Sequence, residues 1–114
     1  MAYGRGGGMG GPNMQNLMKQ AQKMQEEMQA TEQLLDEWEI VGTSGGEAVV
    51  VYMNAKKKID GIEIDKDVID PEDGEMLEDL ILAAILDGYK KADAVYEEKM
   101  SKFSGLGGGM GGLL

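Results

Sequence analysis

The 114-residue sequence contains no cysteine and no histidine. The absence of cysteine excludes a disulfide framework, a thiolate nucleophile and a cysteine metal site, and it suits a reducing cytoplasm. The absence of histidine removes the usual proton acceptor of a serine hydrolase and the commonest metal ligand. We therefore expect a protein that is not an enzyme, holds no cofactor or metal and has no small-molecule substrate.

Long hydrophobic runs are missing as well. The longest, Leu80 to Leu86, is far shorter than the roughly 20 apolar residues that cross a bilayer. The first residues, MAYGRGGGMGG, lack the apolar centre of a secretory signal. These features predict a cytoplasmic protein without a membrane partner.

Positive charge is scarce in this sequence. Its 11 lysine and arginine residues are outnumbered by 21 acidic residues, which gives a formal net charge of −10 and a pI near 4.3. The chain as a whole therefore repels nucleic acid and anionic lipid. Any DNA contact must come from a local basic surface.

Glycine is abundant but concentrated at both ends. Six of the 18 glycines fall in residues 4–11 and six in residues 105–112. Such stretches bury too little apolar surface to offset the backbone entropy that is lost on ordering. We predict flexible tails at residues 1–12 and 104–114 and a single folded domain at residues 13–103.

The stretch after the first tail predicts a long amphipathic helix. Asn13 can cap it, and apolar or small residues recur at alternating steps of three and four. A helix over Asn13–Asp36 would be about 36 Å long, more than the diameter of a small domain, so part of it should project as an arm. Methionine fills irregular gaps, which favours packing against a partner helix over a peptide-binding groove. The seam consists of Met14, Leu17, Ala21, Met24, Met28, Thr31, Leu35 and Trp38.

The middle of the chain predicts a three-stranded antiparallel meander. The segments EWEIVGT, EAVVVYMN and KKIDGIEID are rich in β-branched residues and are separated by the loop sequences SGG and NAKK. Asp60-Gly61 should form a bulge or bend in the third strand. After a turn-rich stretch at residues 70–74, helical apolar spacing over Glu75–Phe103 predicts a second long helix. The fold class is α+β, in the order α-β-β-β-α.

Two apparent sites in this part of the chain are better explained by local structure. Residues 42–46 match the G-x-S-x-G pattern of a nucleophile elbow, but a strand follows instead of a helix and the chain has no histidine to activate the serine. The acidic residues between 65 and 73 lack the ligand register and the glycine of a calcium loop. We interpret the first as a hairpin turn and the second as helix caps.

Charge is distributed unevenly along the predicted fold. Residues 13–25 carry a charge of +2 and residues 89–103 carry +1, so the remainder of this chain of net charge −10 carries −13. If the two long helices pack antiparallel, their free ends lie together and form a basic arm. DNA phosphates could then meet the candidate residues Lys19, Lys23, Lys90, Lys91, Lys99 and Lys102.

The residue counts alone favour an ordinary solvated helix surface over a DNA site. A second basic cluster, Lys56, Lys57 and Lys58, lies in the predicted second hairpin. Such a cluster is more typical of a solubility device or a guard on a strand edge. The sequence leaves open whether the arm or the hairpin would form a DNA face.

Four segments occur in an order that resembles the YbaB/EbfC family of nucleoid-associated proteins: NLMKQAQKMQEEMQ, GTSGGEAVVVYMN, IEID and DGEMLEDLILAAI. The resemblance spans about residues 14–103. It implies a bacterial homodimer, shaped like tweezers with helical arms, that binds double-stranded DNA with little or moderate sequence preference. It also implies effects on DNA conformation, nucleoid organisation and gene expression, and no catalytic activity.

The chain departs from the family pattern at two places. Asn54-Ala55 replaces the usual Asn-Gly after the second strand, and Leu86-Asp87-Gly88 replaces Asn-Asp-Ala or a similar triplet in the last helix. Glycine inside a helix costs about 1 kcal/mol relative to alanine, so Gly88 raises the question of whether that helix is straight. The family offers no sharp DNA-contact motif, and the candidate lysines therefore rest on charge.

A protein-interaction adaptor is the alternative function. In that hypothesis the methionine seam and the acidic body bind a client protein without direct DNA contact, and the net charge favours it. The salt response separates the two functions, because phosphate contacts weaken steeply as salt rises and an apolar interface does not.

Overall fold

The computed structural model describes the backbone of residues 2–113 and the side chains of residues 13–103. The order of elements confirms the predicted α-β-β-β-α arrangement. The predicted flexible tails, residues 1–12 and 104–114, fall where side chains lie outside the described residues, and they stay a prediction. The elements are α1 (Ala2–Glu37), β1 (Glu39–Ser44), β2 (Val49–Asn54), β3 (Ile59–Ile64), a 3₁₀ turn (Lys66–Val68) and α2 (Gly74–Leu113).

The three strands form one antiparallel sheet in the order β1-β2-β3, as predicted. The pairing of β1 with β2 is regular along both strands. The pairing of β2 with β3 shifts between Tyr52 and Met53, which lie opposite Gly61 and Ile59. Asp60 is thereby left without an opposing residue, so the predicted bulge at Asp60-Gly61 is confirmed.

The turn between β1 and β2 confirms that the G-x-S-x-G match is a hairpin. Gly45, Gly46 and Glu47 have φ angles of 58°, 65° and 74°, the left-handed backbone that tight hairpins need. Ser44 ends β1, and its hydroxyl donates a hydrogen bond of 2.5 Å to the carbonyl of Leu80 in α2. The serine therefore ties the strand to the helix.

The core lies between one face of the sheet and α2. Alternate side chains of β1 and β2 point towards the helix, and small residues on α2 allow it to lie close to them. The end of α1 completes this core, and each large apolar side chain buried in it contributes about 1.5–3 kcal/mol. The buried cluster consists of Leu35, Ile40, Val49, Val51, Met53, Ala55, Ala84 and Ala92.

A contact between two glycines sets how closely α2 approaches β1. A Cβ atom on Gly42 would lie 2.5 Å from the nitrogen and 2.7 Å from the Cα of Gly88, and it would also collide with the carbonyl oxygen of Ala84. A Cβ atom on Gly88 would collide with Cε of Met53. α2 runs through Gly88 as one helix. The glycine that weakens the helix locally is therefore required by the packing of helix on sheet.

Candidate nucleic-acid interface

Both long helices leave the sheet at the same end. α2 runs antiparallel to β1, because Leu80 meets the end of β1 whereas Lys91 donates to the carbonyl of Val41 near its beginning, at 3.0 Å. Further along α2, the ammonium of Lys99 lies 5.2 Å from the ring centroid of Trp38, directly before β1. α1 enters the sheet at this same point. The result is an elongated molecule of 87 × 28 × 16 Å, in which a helical arm extends from a sheet-containing body.

The outer part of this arm is basic and exposed. Residues 13–23 are exposed at every position, and Lys19 and Lys23 lie one helical turn apart on the same face. Residues 13–25 contain no acidic side chain. The ammonium groups of Lys19 and Lys23 are thus presented to solvent with no acidic side chain on the same segment.

The apolar seam of α1 is covered only near the sheet. Leu35 is completely buried and Trp38 packs against the core, but Met14, Leu17 and Met18 are 62–68% exposed. The predicted packing of the seam against a partner helix is therefore seen at its C-terminal end. Within the described chain its N-terminal end has no such cover.

Lys91 is engaged in the body rather than presented on the arm. Its ammonium lies 3.0 Å from the carboxylate of Asp87, one turn earlier on α2. The same ammonium donates the hydrogen bond to the Val41 carbonyl. The same carboxylate accepts the backbone N–H of Thr43 at 2.9 Å. This hydrogen bond, and then the contact with Lys91, lower the pKa of Asp87 below its ordinary value of 3.8. The pair covers the open edge of β1, where strand N–H and carbonyl groups would otherwise be exposed.

The other α2 lysines lie in two places. Lys90 is exposed beside Lys91, next to the sheet, and Lys99 and Lys102 lie at the base of the arm. Lys99 and Lys102 lie over aromatic rings, of Trp38 at 5.2 Å and of Phe103 at 5.1 Å. A cation above a ring face keeps its charge and its hydrogen-bond donors, so these contacts position the two ammonium groups without neutralising them.

The six candidate lysines do not form one patch. Lys23 precedes Trp38 by 15 residues, which places it about 22 Å along α1 from the aromatic contact with Lys99. Lys19 lies about 6 Å further out. The structure therefore separates an outer pair on α1, a pair at the arm base and a pair beside the sheet. The intervening part of α1 is acidic, with Glu26, Glu27, Glu32, Asp36 and Glu37.

Two of the three hairpin lysines form ion pairs with the helices, which differs from the interpretation of the cluster as a solubility device or a guard on a strand edge. Lys56 lies 3.3 Å from Asp36 and 3.9 Å from Glu32 on α1. Lys57 lies 3.0 Å from Asp93 on α2. Sequence reasoning missed these partners, since only the i, i+4 spacing of the two α1 acids hints that they face one cation. Lys58 is exposed and makes no ion pair within residues 13–103.

An open cavity of about 390 Å³ lies beside this hairpin, between the two helices. Its lining contains both acidic and basic side chains, and these form ion pairs with one another: Lys56 with Glu32, and Lys57 with Asp93. Among the described residues, no group of three or more acidic side chains is arranged to hold a metal ion, and none of the helices is long and apolar enough to cross a membrane. The lining residues are Glu32, Ala55, Lys56, Lys57, Asp93 and Tyr96.

Known proteins resemble this chain over nearly its whole length. A nucleoid-associated protein of Clostridium novyi is 52% identical over 102 residues, which cover 90% of this chain and 87% of the relative. A nucleoid-associated protein of Acetivibrio thermocellus is 45% identical over 113 residues, 99% of each chain. The crystal structure of an uncharacterised protein from Helicobacter pylori matches with a TM-score of 0.67 at 23% identity, over 76% of this chain and 91% of that one. The last likeness supports the fold alone.

A match to a protein-family model shows which family the chain belongs to. The model of the YbaB/EbfC DNA-binding family matches residues 9–108, which include the sheet, its hairpins and most of both helices. This match and the identity to the bacterial relatives confirm the resemblance that the four sequence segments indicated. The chain belongs to the YbaB/EbfC DNA-binding family.

Proposed function

We propose that this protein is a nucleoid-associated protein that binds double-stranded DNA as a homodimer through its basic helical arms. One observation carries the proposal: the helical segment at residues 13–25 is free of acids and presents Lys19 and Lys23, both exposed, on a chain whose net charge is −10. A charge distribution of this kind directs a phosphate backbone to the arm and away from the body. The family and the names of the bacterial relatives agree with it.

The contacts in this proposal are made to phosphates. Lysine presents a point charge on a flexible stem, which suits backbone phosphate and gives little discrimination between bases. Lys19 and Lys23 form the outer contact, and Lys99 and Lys102 form the inner contact at the arm base. Lys90 is exposed and can add to it, whereas Lys91 contributes less because its ammonium is held by Asp87 and β1. Binding would then be tolerant of sequence and would act on DNA conformation, nucleoid organisation and gene expression in the cytoplasm.

Pairing of two chains completes the proposed binding unit. A two-fold axis repeats each arm, so one duplex meets twice the number of phosphate contacts. It also offers cover for apolar side chains that a single chain leaves exposed, Met14, Leu17 and Met18 among them. These are the features that support a homodimer.

An adaptor that binds another protein is the second candidate. The exposed methionine and leucine side chains at the arm end favour it, because methionine-rich surfaces accommodate many partners. The acidic body would also suit a basic client.

A mobility-shift series with a mixed-sequence duplex tests the proposal. We expect binding at about 50 mM salt and a steep, log-linear loss of affinity towards about 200 mM, as counterion release requires. Light scattering on the same sample should give two chains per particle. Absence of binding at low salt, or binding that does not respond to salt, would contradict DNA binding through phosphates and would leave the adaptor function.

A further inference from the structure

The tip of the β2–β3 hairpin lies between the two helices and contacts both. Lys56 reaches Asp36 and Glu32 on α1, at 3.3 and 3.9 Å. Lys57 reaches Asp93 on α2 at 3.0 Å, and its ammonium also lies 5.7 Å from the ring centroid of Tyr89. Two consecutive lysines therefore point to different helices.

Asn54 fixes the backbone of this tip. Its side-chain carbonyl accepts the N–H groups of Lys56 and Lys58, both at 2.9 Å, and its amide nitrogen donates to the carbonyl of Asp36 at 3.1 Å. Lys57 has a φ of 70°, a left-handed backbone that residues other than glycine rarely adopt. Such a conformation persists where its surroundings determine it, and here the buried asparagine does so.

An open cavity of about 390 Å³ lies between the two helices at the protein surface, and the hairpin residues Ala55, Lys56 and Lys57 form part of its wall. Beneath it, Leu35 of α1 and Ala92 of α2 belong to one buried cluster, and the N–H of Ala55 donates to the carbonyl of Leu35 at 3.2 Å. The ion pairs of the hairpin therefore add a link between α1 and α2 on the side where this opening lies. Breaking these pairs removes the surface link and leaves the core in place.

We infer that Lys56 and Lys57 are positioning residues, which hold α1 and α2 at the separation at which the arm lysines meet DNA phosphates. They are not themselves phosphate contacts, because three carboxylates already occupy their ammonium groups. The inference rests on the proposed function, DNA binding by the arms. A preset spacing strengthens binding because less conformational freedom is lost when DNA is bound.

Removing the acidic partners tests this role against plain electrostatics. Asp36→Asn combined with Asp93→Asn makes the chain less negative, and charge alone would then raise DNA affinity. The positioning role predicts the opposite: a loss of about two- to fivefold, the range that exposed ion pairs support, with an unchanged salt slope because no phosphate contact is lost. A rise in affinity would overturn the inference.

An exchange of charges provides a matched control. Lys57→Asp should weaken DNA binding, and the double variant Lys57→Asp with Asp93→Lys, whose net charge equals that of the wild type, should restore affinity to within about twofold. Lys57→Arg should bind like the wild type. If the double variant stays as weak as Lys57→Asp and its salt slope falls by about 1, Lys57 contacts phosphate and the inference is wrong.

Failure of the inference and failure of the proposed function give different results. Wild-type protein that does not bind DNA at low salt rejects the function itself. Wild-type binding with hairpin variants that behave as charge alone predicts rejects only the positioning role. Thermal melts of all variants check folding, and small shifts are expected because the paired side chains lie at the surface, with exposed fractions of 31–57%.

Discussion

The two ends of α1 follow the same apolar spacing but have different surroundings. Leu35, which packs on the sheet, is completely buried, whereas Leu17, about five turns earlier, is 62% exposed. The charges differ as well, since residues 13–25 carry lysines without acids and residues 26–37 carry acids without lysines. One helix therefore serves two purposes: its C-terminal end completes a core, and its N-terminal end presents a basic surface.

Body and arm should therefore respond differently to substitution. Changes in the body act on the free energy of unfolding, because its side chains are packed against one another. We expect changes to the arm lysines to act on DNA affinity instead, because none of these side chains is buried.

Replacing the arm lysines should give the largest effect. In the variant with Lys19, Lys23, Lys99 and Lys102 all changed to Gln, we expect affinity for every duplex sequence to fall by more than about 100-fold at 0.1 M salt, and the salt slope to fall by about 1 for each lost contact. The far-UV spectrum and the melting temperature should change little. A mobility-shift series across salt concentrations gives both quantities.

The matched control for this variant is Lys66→Gln, an exposed lysine in the 3₁₀ turn of the body. It removes one positive charge far along the chain from the arm, where the arm variant removes four, and it should leave the salt slope unchanged. An equal loss of affinity per removed charge in both variants would show that DNA responds to total charge, and the division between arm and body would not hold.

A methyl group at the glycine contact of the body should give the next largest effect. Gly42→Ala places a Cβ against the backbone of α2, which cannot move aside as a flexible side chain can. We expect the free energy of unfolding to fall by about 3 kcal/mol, at the upper end of typical overpacking costs. Urea unfolding at a fixed protein concentration measures it, and the protein that remains folded should keep the wild-type salt slope.

Gly74→Ala is the control for added volume, since a Cβ there meets no atom within 4 Å. Its stability should stay close to that of the wild type. If Gly42→Ala were equally harmless, α2 would be able to slide on β1, and the close approach at Gly42 and Gly88 would not be a fixed feature of the body.

The sequence predicted local features well and distant contacts poorly. Element order, the G-x-S-x-G hairpin and the Asp60-Gly61 bulge follow from periodicity and turn chemistry, which act over a few residues. The sequence indicated only that Gly88 destabilises α2. Its role in close packing depends on Met53 and Gly42, which lie on two different strands and are distant in the sequence. The hydrogen bond from Lys91 to the sheet could not be foreseen either, because Val41 lies 50 residues away in the chain.

The same limit applies to the seam and to the hairpin. Apolar spacing identified the buried face of α1 at Leu35. It could not show how far along α1 this face is covered by other parts of the protein. The charge counts treated Lys56 and Lys57 as surface residues, because no local rule pairs them with acids on two other elements. The acid-free run on α1, by contrast, is visible in the sequence itself because it depends on no distant contact.

The smallest effect should come from the pair that joins α2 to the edge of β1. Folding lowers the pKa of Asp87 below 3.8, first through the Thr43 N–H and then through Lys91, so the carboxylate form stabilises the folded state. This contribution is fully present above the unfolded pKa and is lost as the pH falls from about 4 through the lower folded pKa. Because the carboxylate and its lysine remain partly exposed, the loss should be below about 1 kcal/mol. Asp87→Asn should therefore melt slightly below the wild type at pH 7, and the difference should shrink as the pH falls below about 4. DNA affinity at pH 7 should not fall, because no arm lysine is removed. A difference that does not change with pH would mean that Asp87 stabilises the strand edge by shape rather than by charge, and a loss of DNA affinity would place this edge within the DNA-binding surface.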